Sequence, residues 1–276
     1  MGTRGDWLFI VVTVVVSCLL IVRGRRPISE ARLVRWSLRF DVVVDSHSRG
    51  WVSRRLRRAR MIRWTSFVAG LNISLLPMYM NVIDVDRAAS FSNPAGSSAP
   101  WAAAALGAVL AEVLVVQRPA GPSVADIARR RWRDYADQRW VLAIVGCLPV
   151  AIAAATLATA GNDFRWRWSW VGPASVICAI VAVTVGVHHI VDRPAISATG
   201  PERLIDDALR ADGAHHILGA SVALAGMGTF HSLAIATSPN WVSLLFVPAQ
   251  YWVIYQWQAI ACLDRWNVQR VRMVRA

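Results

Sequence analysis

The chain has no lysine, only four cysteines and no glycine-rich phosphate-binding motif. Without lysine it has no Gly-Lys-Ser/Thr sequence, which excludes a P-loop ATPase and assigns any ATP-driven work to another chain. The cysteines follow neither the spacing of a zinc site nor that of a disulfide framework. No His-Glu-x-x-His sequence is present, and no Ser, His and Asp can be assigned to a catalytic triad. We therefore predict a protein that is not an enzyme and needs no cofactor.

Apolar residues are abundant instead, at 55% of 276 residues, while charged residues make up 17%. They run contiguously in seven segments, each close to the roughly 17–25 residues that cross hydrocarbon as a helix. Six of the seven begin at a Trp, whose indole prefers the headgroup level. The sequence predicts an all-α fold, a polytopic transmembrane helix bundle forming a single membrane domain over 1–276, with seven spans at 7–22, 64–83, 101–117, 140–160, 170–191, 215–237 and 241–263.

The orientation follows from the arginines, because Lys and Arg beside a span resist translocation. Thirty arginines supply all of the basic residues. Twenty-six of them lie in 23–63, 118–139, 192–214 and the tail after 263, and four lie in the other connections. We predict that the N-terminus is outside and the C-terminus inside, in a multi-pass protein of the bacterial plasma membrane.

The Arg-rich cytoplasmic loop 23–63 carries thirteen arginines against Glu30, Asp41 and Asp45. The helical spacing of apolar residues in 51–63 predicts an interfacial helix on anionic lipid. Residues 41–45 are expected to be extended and residues 46–50 to form a turn. Nucleic acid is not an expected partner, because arginines beside a membrane already have a cause and about 40 residues hold no nucleic-acid fold.

The other inside connections are short and amphipathic. Two stretches, RRWRDYADQRW at 130–140 and IDDALRADGAH at 205–215, resemble loops of uncharacterised actinobacterial multi-spanning membrane proteins. That resemblance brings no activity with it. The acidic residues here are expected to form either a solvated face that offsets nearby Arg or a docking site for a cytoplasmic ATPase or another membrane subunit. The candidate docking residues are Asp134, Tyr135, Asp206, Asp207 and Arg210.

Polar residues inside spans are the other candidates, because an ionisable group in hydrocarbon is costly. Glu112 and His231 are candidate intramembrane polar sites, and Glu112 could couple protons or cations. The alternative for Glu112 is an inter-helix pair with an Arg at the interface or a carboxyl group that snorkels towards it. A metal site is a weaker hypothesis for His188, His189, His215 and His216, because adjacent His residues point about 100° apart on a helix.

These features favour a membrane subunit or scaffold of a transport or envelope complex. An autonomous small-solute or ion-coupled transporter is the alternative, and an intramembrane enzyme comes third. Small residues spaced four apart, such as Gly107 and Ala111, or Gly219 and Ala223, predict close helix packing in any of these cases.

Overall fold

The computed structural model describes residues 4–79, 94–115, 131–160, 169–194 and 200–237, with residues 252, 253, 255–257 and 260. No strand occurs in this part of the chain, and the all-α prediction is confirmed. A short 3-10 helix spans Trp132–Asp134. The longer helices are α1 (Arg4–Arg25), α2 (Glu30–Phe40), α3 (Ser46–Tyr79), α4 (Pro94–Leu114), α5 (Gln138–Ala160), α6 (Val171–Asp192) and α7 (Gly200–Thr237).

Three of these helices, α5, α6 and α7, are long and apolar enough to cross a membrane. They coincide with the predicted spans 140–160, 170–191 and 215–237. Helices α1, α3 and α4 cover all or most of the predicted spans 7–22, 64–83 and 101–117. The predicted span 241–263 lies largely outside the described residues. The structure thus fits a membrane protein with at least these three apolar helices.

Helix α7 is the centre of the bundle and packs against α4, α5 and α6. Nearly every residue from Ile205 to Ser232 is buried. On the far side of α4 lies α3, which packs in turn against α1. By contrast, α5 and α6 expose large apolar side chains such as Leu157 and Val181. An apolar outer surface of this kind suits a lipid environment.

Small residues set the distances between helices. A Cβ added to Gly107 of α4 would overlap the side chain of Ser66 on α3, and one added to Gly172 of α6 would overlap Ser232 of α7. Ala111 and Ala223 are completely buried. The predicted role of small residues in close helix approach is confirmed at these crossings.

Three helices start well before the spans that the sequence analysis predicted, and α4 does so by seven residues, at Pro94. Helix α3 begins at Ser46, so that residues 46–50 are helical rather than a turn, and α7 begins at Gly200 inside the predicted connection 192–214. Arg and Ala are both strong helix formers, and a charged segment can therefore continue an apolar helix without a break. At about 1.5 Å per residue, the 38 residues of α7 extend about 57 Å, well beyond the thickness of hydrocarbon.

The prediction of an interfacial helix over 51–63 is also corrected. These residues belong to α3, and the apolar side chains of Val52 and Ala59 are buried in the bundle, whereas Met61 is 37% exposed. The exposed face here carries Arg54, Arg57 and Arg58. The apolar face of 51–63 that was predicted to contact lipid therefore packs against neighbouring helices instead.

Candidate functional site

Glu112 of α4 lies at the centre of a buried ionic cluster. Its Oε2 is 3.1 Å from Nη2 of Arg55 and 3.5 Å from Nη1 of Arg193, and its Oε1 is 3.3 Å from Nη2 of Arg63. The Glu112 side chain is only 3% exposed. Three guanidinium groups thus share one carboxylate away from solvent, and the ion-pair alternative for Glu112 is the arrangement observed.

A glycine on α7 leaves space for this carboxylate. Gly213 lies directly opposite Glu112, and a Cβ at that position would overlap the carboxyl carbon and both carboxyl oxygens. Only glycine lets the backbone of α7 approach the carboxyl group this closely. The pairing of Gly213 with Glu112 therefore determines how α4 and α7 meet.

Asp206, on the first turns of α7, is the second carboxylate. Its Oδ1 is 2.9 Å from Nη2 of Arg193, and its Oδ2 accepts hydrogen bonds from Nε and Nη2 of Arg210 at 3.0 and 2.9 Å. Asp206 and Arg210 are completely buried. Arg193 connects the two carboxylates, because its guanidinium contacts both Glu112 and Asp206.

Two of the arginines also bind backbone carbonyls where helices end. Arg210 donates to the carbonyl of Ile190 at 2.5 Å and to that of Pro194 at 2.8 Å, at the end of α6. Arg55 donates to the carbonyl of Val115, at 3.1 Å, at the end of α4. The last carbonyls of a helix lack intrahelical partners and carry partial negative charge, so cationic donors stabilise them.

The third carboxylate, Asp212, extends the cluster towards α2. Its Oδ2 is 3.5 Å from Nη1 of Arg63 and 3.6 Å from Nδ1 of His216. Next to it, Nδ1 of His215 is 3.4 Å from Nη2 of Arg39, and the His215 ring stacks on Phe40 of α2. The charged and polar groups of α7 therefore extend to the edge of α2.

We define the ionic cluster as Arg55, Arg63, Arg193, Arg210, Glu112, Asp206 and Asp212. Four positive charges face three negative charges, each of them at most 15% exposed. Removing such charges from water is costly, and the cost is offset only when hydrogen bonds and opposite charges surround each group. Chemically, the arrangement holds helix ends together through paired charges that are shielded from solvent.

The candidate docking residues are placed mostly in the interior. Tyr135 donates its hydroxyl to Oδ1 of Asp207 at 3.2 Å, and both side chains are buried. Asp206 and Arg210 belong to the ionic cluster. Because α7 continues through 200–214, these residues sit on a packed helix and not on the solvated loop that the sequence predicted. Asp134 alone of the five is partly exposed, and its carboxylate accepts from the backbone N–H of Arg131.

The histidines do not converge on one point. His188 is exposed and pairs with Asp192 at 2.9 Å, whereas His215 and His216 lie in the bundle beside Arg39 and Asp212. Within the described parts of the chain, no group of three or more His, Cys, Asp or Glu side chains could hold a metal ion. His231 is buried in α7, far along the helix from the ionic cluster, and its proposed role stays a prediction.

The sequence singled out Glu112 as an intramembrane site and Asp206 and Arg210 as docking residues, but it did not predict that the three share a buried cluster or which other arginines surround them. Arg55, Arg63 and Arg193 were counted only as charges that fix orientation. One signal was present: a carboxylate near the end of an apolar helix requires a cationic partner, and the inside connections are the nearest source of one. The choice of partners among thirteen arginines in 23–63 needed the structure.

In comparisons with known proteins, no protein-family model, no curated protein and no solved structure matches this chain.

Proposed function

We propose that the chain is a seven-span plasma-membrane protein, with its N-terminus outside and its C-terminus inside, that serves as a membrane subunit or scaffold of a transport or envelope complex. The ionic cluster supports the orientation. It brings together the ends of α4 and α6 and the beginning of α7. These helix ends adjoin the Arg-rich connections 118–139 and 192–214, and Arg55 and Arg63 of the cluster belong to 23–63. The cluster therefore supports a common side for the three connections.

The single observation that carries the scaffold role is the environment of Glu112. A coupling carboxyl must gain and lose a proton through contact with water. The Glu112 side chain is only 3% exposed, and three arginines surround its carboxyl group. A carboxyl group enclosed in this way is out of contact with bulk water, which supports a rigid structural role over ion coupling.

The position of the exposed groups supports a docking surface that differs from the predicted one. Trp132 is 37% exposed, the guanidinium of Arg133 lies 5.5 Å from its ring centroid, and Asp134 follows. Exposed Trp and Arg are frequent anchors in protein interfaces. We place the contact with a cytoplasmic ATPase or another membrane subunit at residues 131–134.

The test is purification of the tagged full-length chain from its native membrane in mild detergent, followed by mass spectrometry of stoichiometric companions. We expect a reproducible partner that is lost in Trp132→Ala and retained in Arg58→Gln, an exposed change on α3. A pure chain with no companion would overturn the subunit role and favour autonomous transport. Loss of the partner in both variants would overturn the assignment to 131–134.

A further inference from the structure

Helix α2 has two apolar faces on opposite sides. Leu33, Trp36 and Phe40 are buried against the bundle. Val34 and Leu38, which lie on the opposite side at helical spacing, are 49% and 68% exposed. Ala31 shares this outer face and is also exposed. A helix that needed only to cover the bundle would have a polar outer face. Among the described residues, this apolar outer face has no covering neighbour.

The attachment of α2 fixes its depth. Only residues 26–29 separate it from Arg25, the last residue of the apolar helix α1. At its other end, Phe40 stacks on His215, where the most apolar part of α7 begins. Both ends of α2 are therefore held at the level where apolar helices meet charged connections, which is the headgroup region of a bilayer.

Charge on the outer face is of one sign. Arg32 and Arg35 are exposed along one edge of the apolar stripe. The only acidic residue of α2, Glu30, lies on the opposite edge and pairs with Arg49. Arg23, Arg25 and Arg26, just before α2, are exposed as well. Apolar residues flanked by arginine are the pattern of a helix that lies in the plane of an anionic membrane surface.

We propose that the outer face of α2 (Ala31, Val34 and Leu38) lies on the inner leaflet, with Arg32 and Arg35 bound to the phosphates of anionic lipid headgroups. The lipid-binding helix face that the sequence predicted for 51–63 is thus provided by α2, since the apolar face of α3 packs inside the protein. The proposal rests on membrane insertion of the chain and is independent of the scaffold role. A cytosolic protein seated on the same face is the competing occupant, and the experiment separates the two.

The experiment uses the full-length chain with its four native cysteines replaced by Ala, bearing Leu38→Cys labelled with an environment-sensitive fluorophore. The labelled protein is placed in nanodiscs of phosphatidylcholine, with or without phosphatidylglycerol, and quenched by lipids that carry a spin label near the glycerol. The matched control is Arg58→Cys on the exposed basic face of α3. Retention of the protein after alkaline carbonate extraction establishes insertion separately.

At position 38 we expect blue-shifted emission and about twice the quenching seen at position 58. The quenching at position 38 should increase further when phosphatidylglycerol is present. Adding Arg32→Gln and Arg35→Gln should abolish the phosphatidylglycerol-dependent increment and leave the melting temperature unchanged, because both side chains are exposed. Water-like emission at position 38 in both nanodiscs would overturn the proposal and indicate a face open to a cytosolic partner. An increment that survives both arginine substitutions would overturn the assignment of the phosphate contacts.

Discussion

At the level of single residues, the contact between Gly213 and Glu112 leaves no space for a side chain. A helix-interior glycine ordinarily costs about 1 kcal/mol relative to Ala. Glycine is required at position 213 despite this cost, because no side chain fits between α7 and the carboxyl group. We expect Gly213→Ala to displace Glu112 from its arginines and to lower the stability by about 1–3 kcal/mol, as overpacking of a buried site does.

The measurement is the apparent melting temperature in detergent at one scan rate. Unfolding is detected by the fluorescence of the fourteen tryptophans. Gly146→Ala is the matched control, because it lies inside α5 and a Cβ there would meet nothing within 4 Å. This control should leave the melting temperature unchanged or raise it. Equal effects of the two substitutions would show that Gly213 has no special contact.

Removing the charge of Glu112 should also lower the stability of the fold. In Glu112→Gln, four buried arginines would face two carboxylates, and breaking a buried pair in this way costs about 3–5 kcal/mol. Glu30→Gln removes a carboxylate whose pair with Arg49 is exposed, where the expected loss is about 0–1 kcal/mol. Melting temperatures of the two variants provide the comparison. A Glu112→Gln protein as stable as the wild type that had lost solute uptake would point to coupling instead.

At the scale of elements, Asp45 controls how α3 begins. Its Oδ1 accepts the backbone N–H of Ser48 at 2.7 Å, which is the N-cap arrangement. This hydrogen bond is the main reason that the pKa of Asp45 lies below its ordinary value of 3.8. Because the folded pKa is lowered, the stabilisation is present above about pH 3.8 and is lost as the pH falls through the folded pKa.

The measurement for this cap is hydrogen exchange of the amides in 46–50. Asp45→Ala should speed exchange at neutral pH, whereas Asp45→Asn, which keeps an acceptor, should remain close to the wild type. Only the wild type should lose protection on acidification below its pKa, after correction for intrinsic rates. Protection that is the same in all three proteins would contradict a capping role.

The elements also show what the sequence could predict. Apolar runs determine where helices lie, because burying them requires a continuous hydrogen-bonded backbone, and α1, α4, α5 and α6 end close to the predicted boundaries. The extensions of α3 and α7 could not be read from hydropathy, since they depend on packing of Arg-rich and Asp-rich turns. The ionic cluster was harder still: Arg55 and Glu112 are 57 residues apart and meet only because α3 packs on α4.

At the scale of the whole molecule, the ionic cluster binds the helix ends of one side together, while α5 and α6 turn apolar side chains outward. If that side is cytoplasmic, as the arginine distribution predicts, position 162 lies outside and position 197 inside. We expect Asn162→Cys, in a chain free of native cysteine, to react with a membrane-impermeant maleimide on intact spheroplasts. Ser197→Cys should react only after permeabilisation, and protein amounts are matched by the tag. The reverse pattern would invert the orientation, and labelling of both sites from outside would mean that α6 does not cross the membrane.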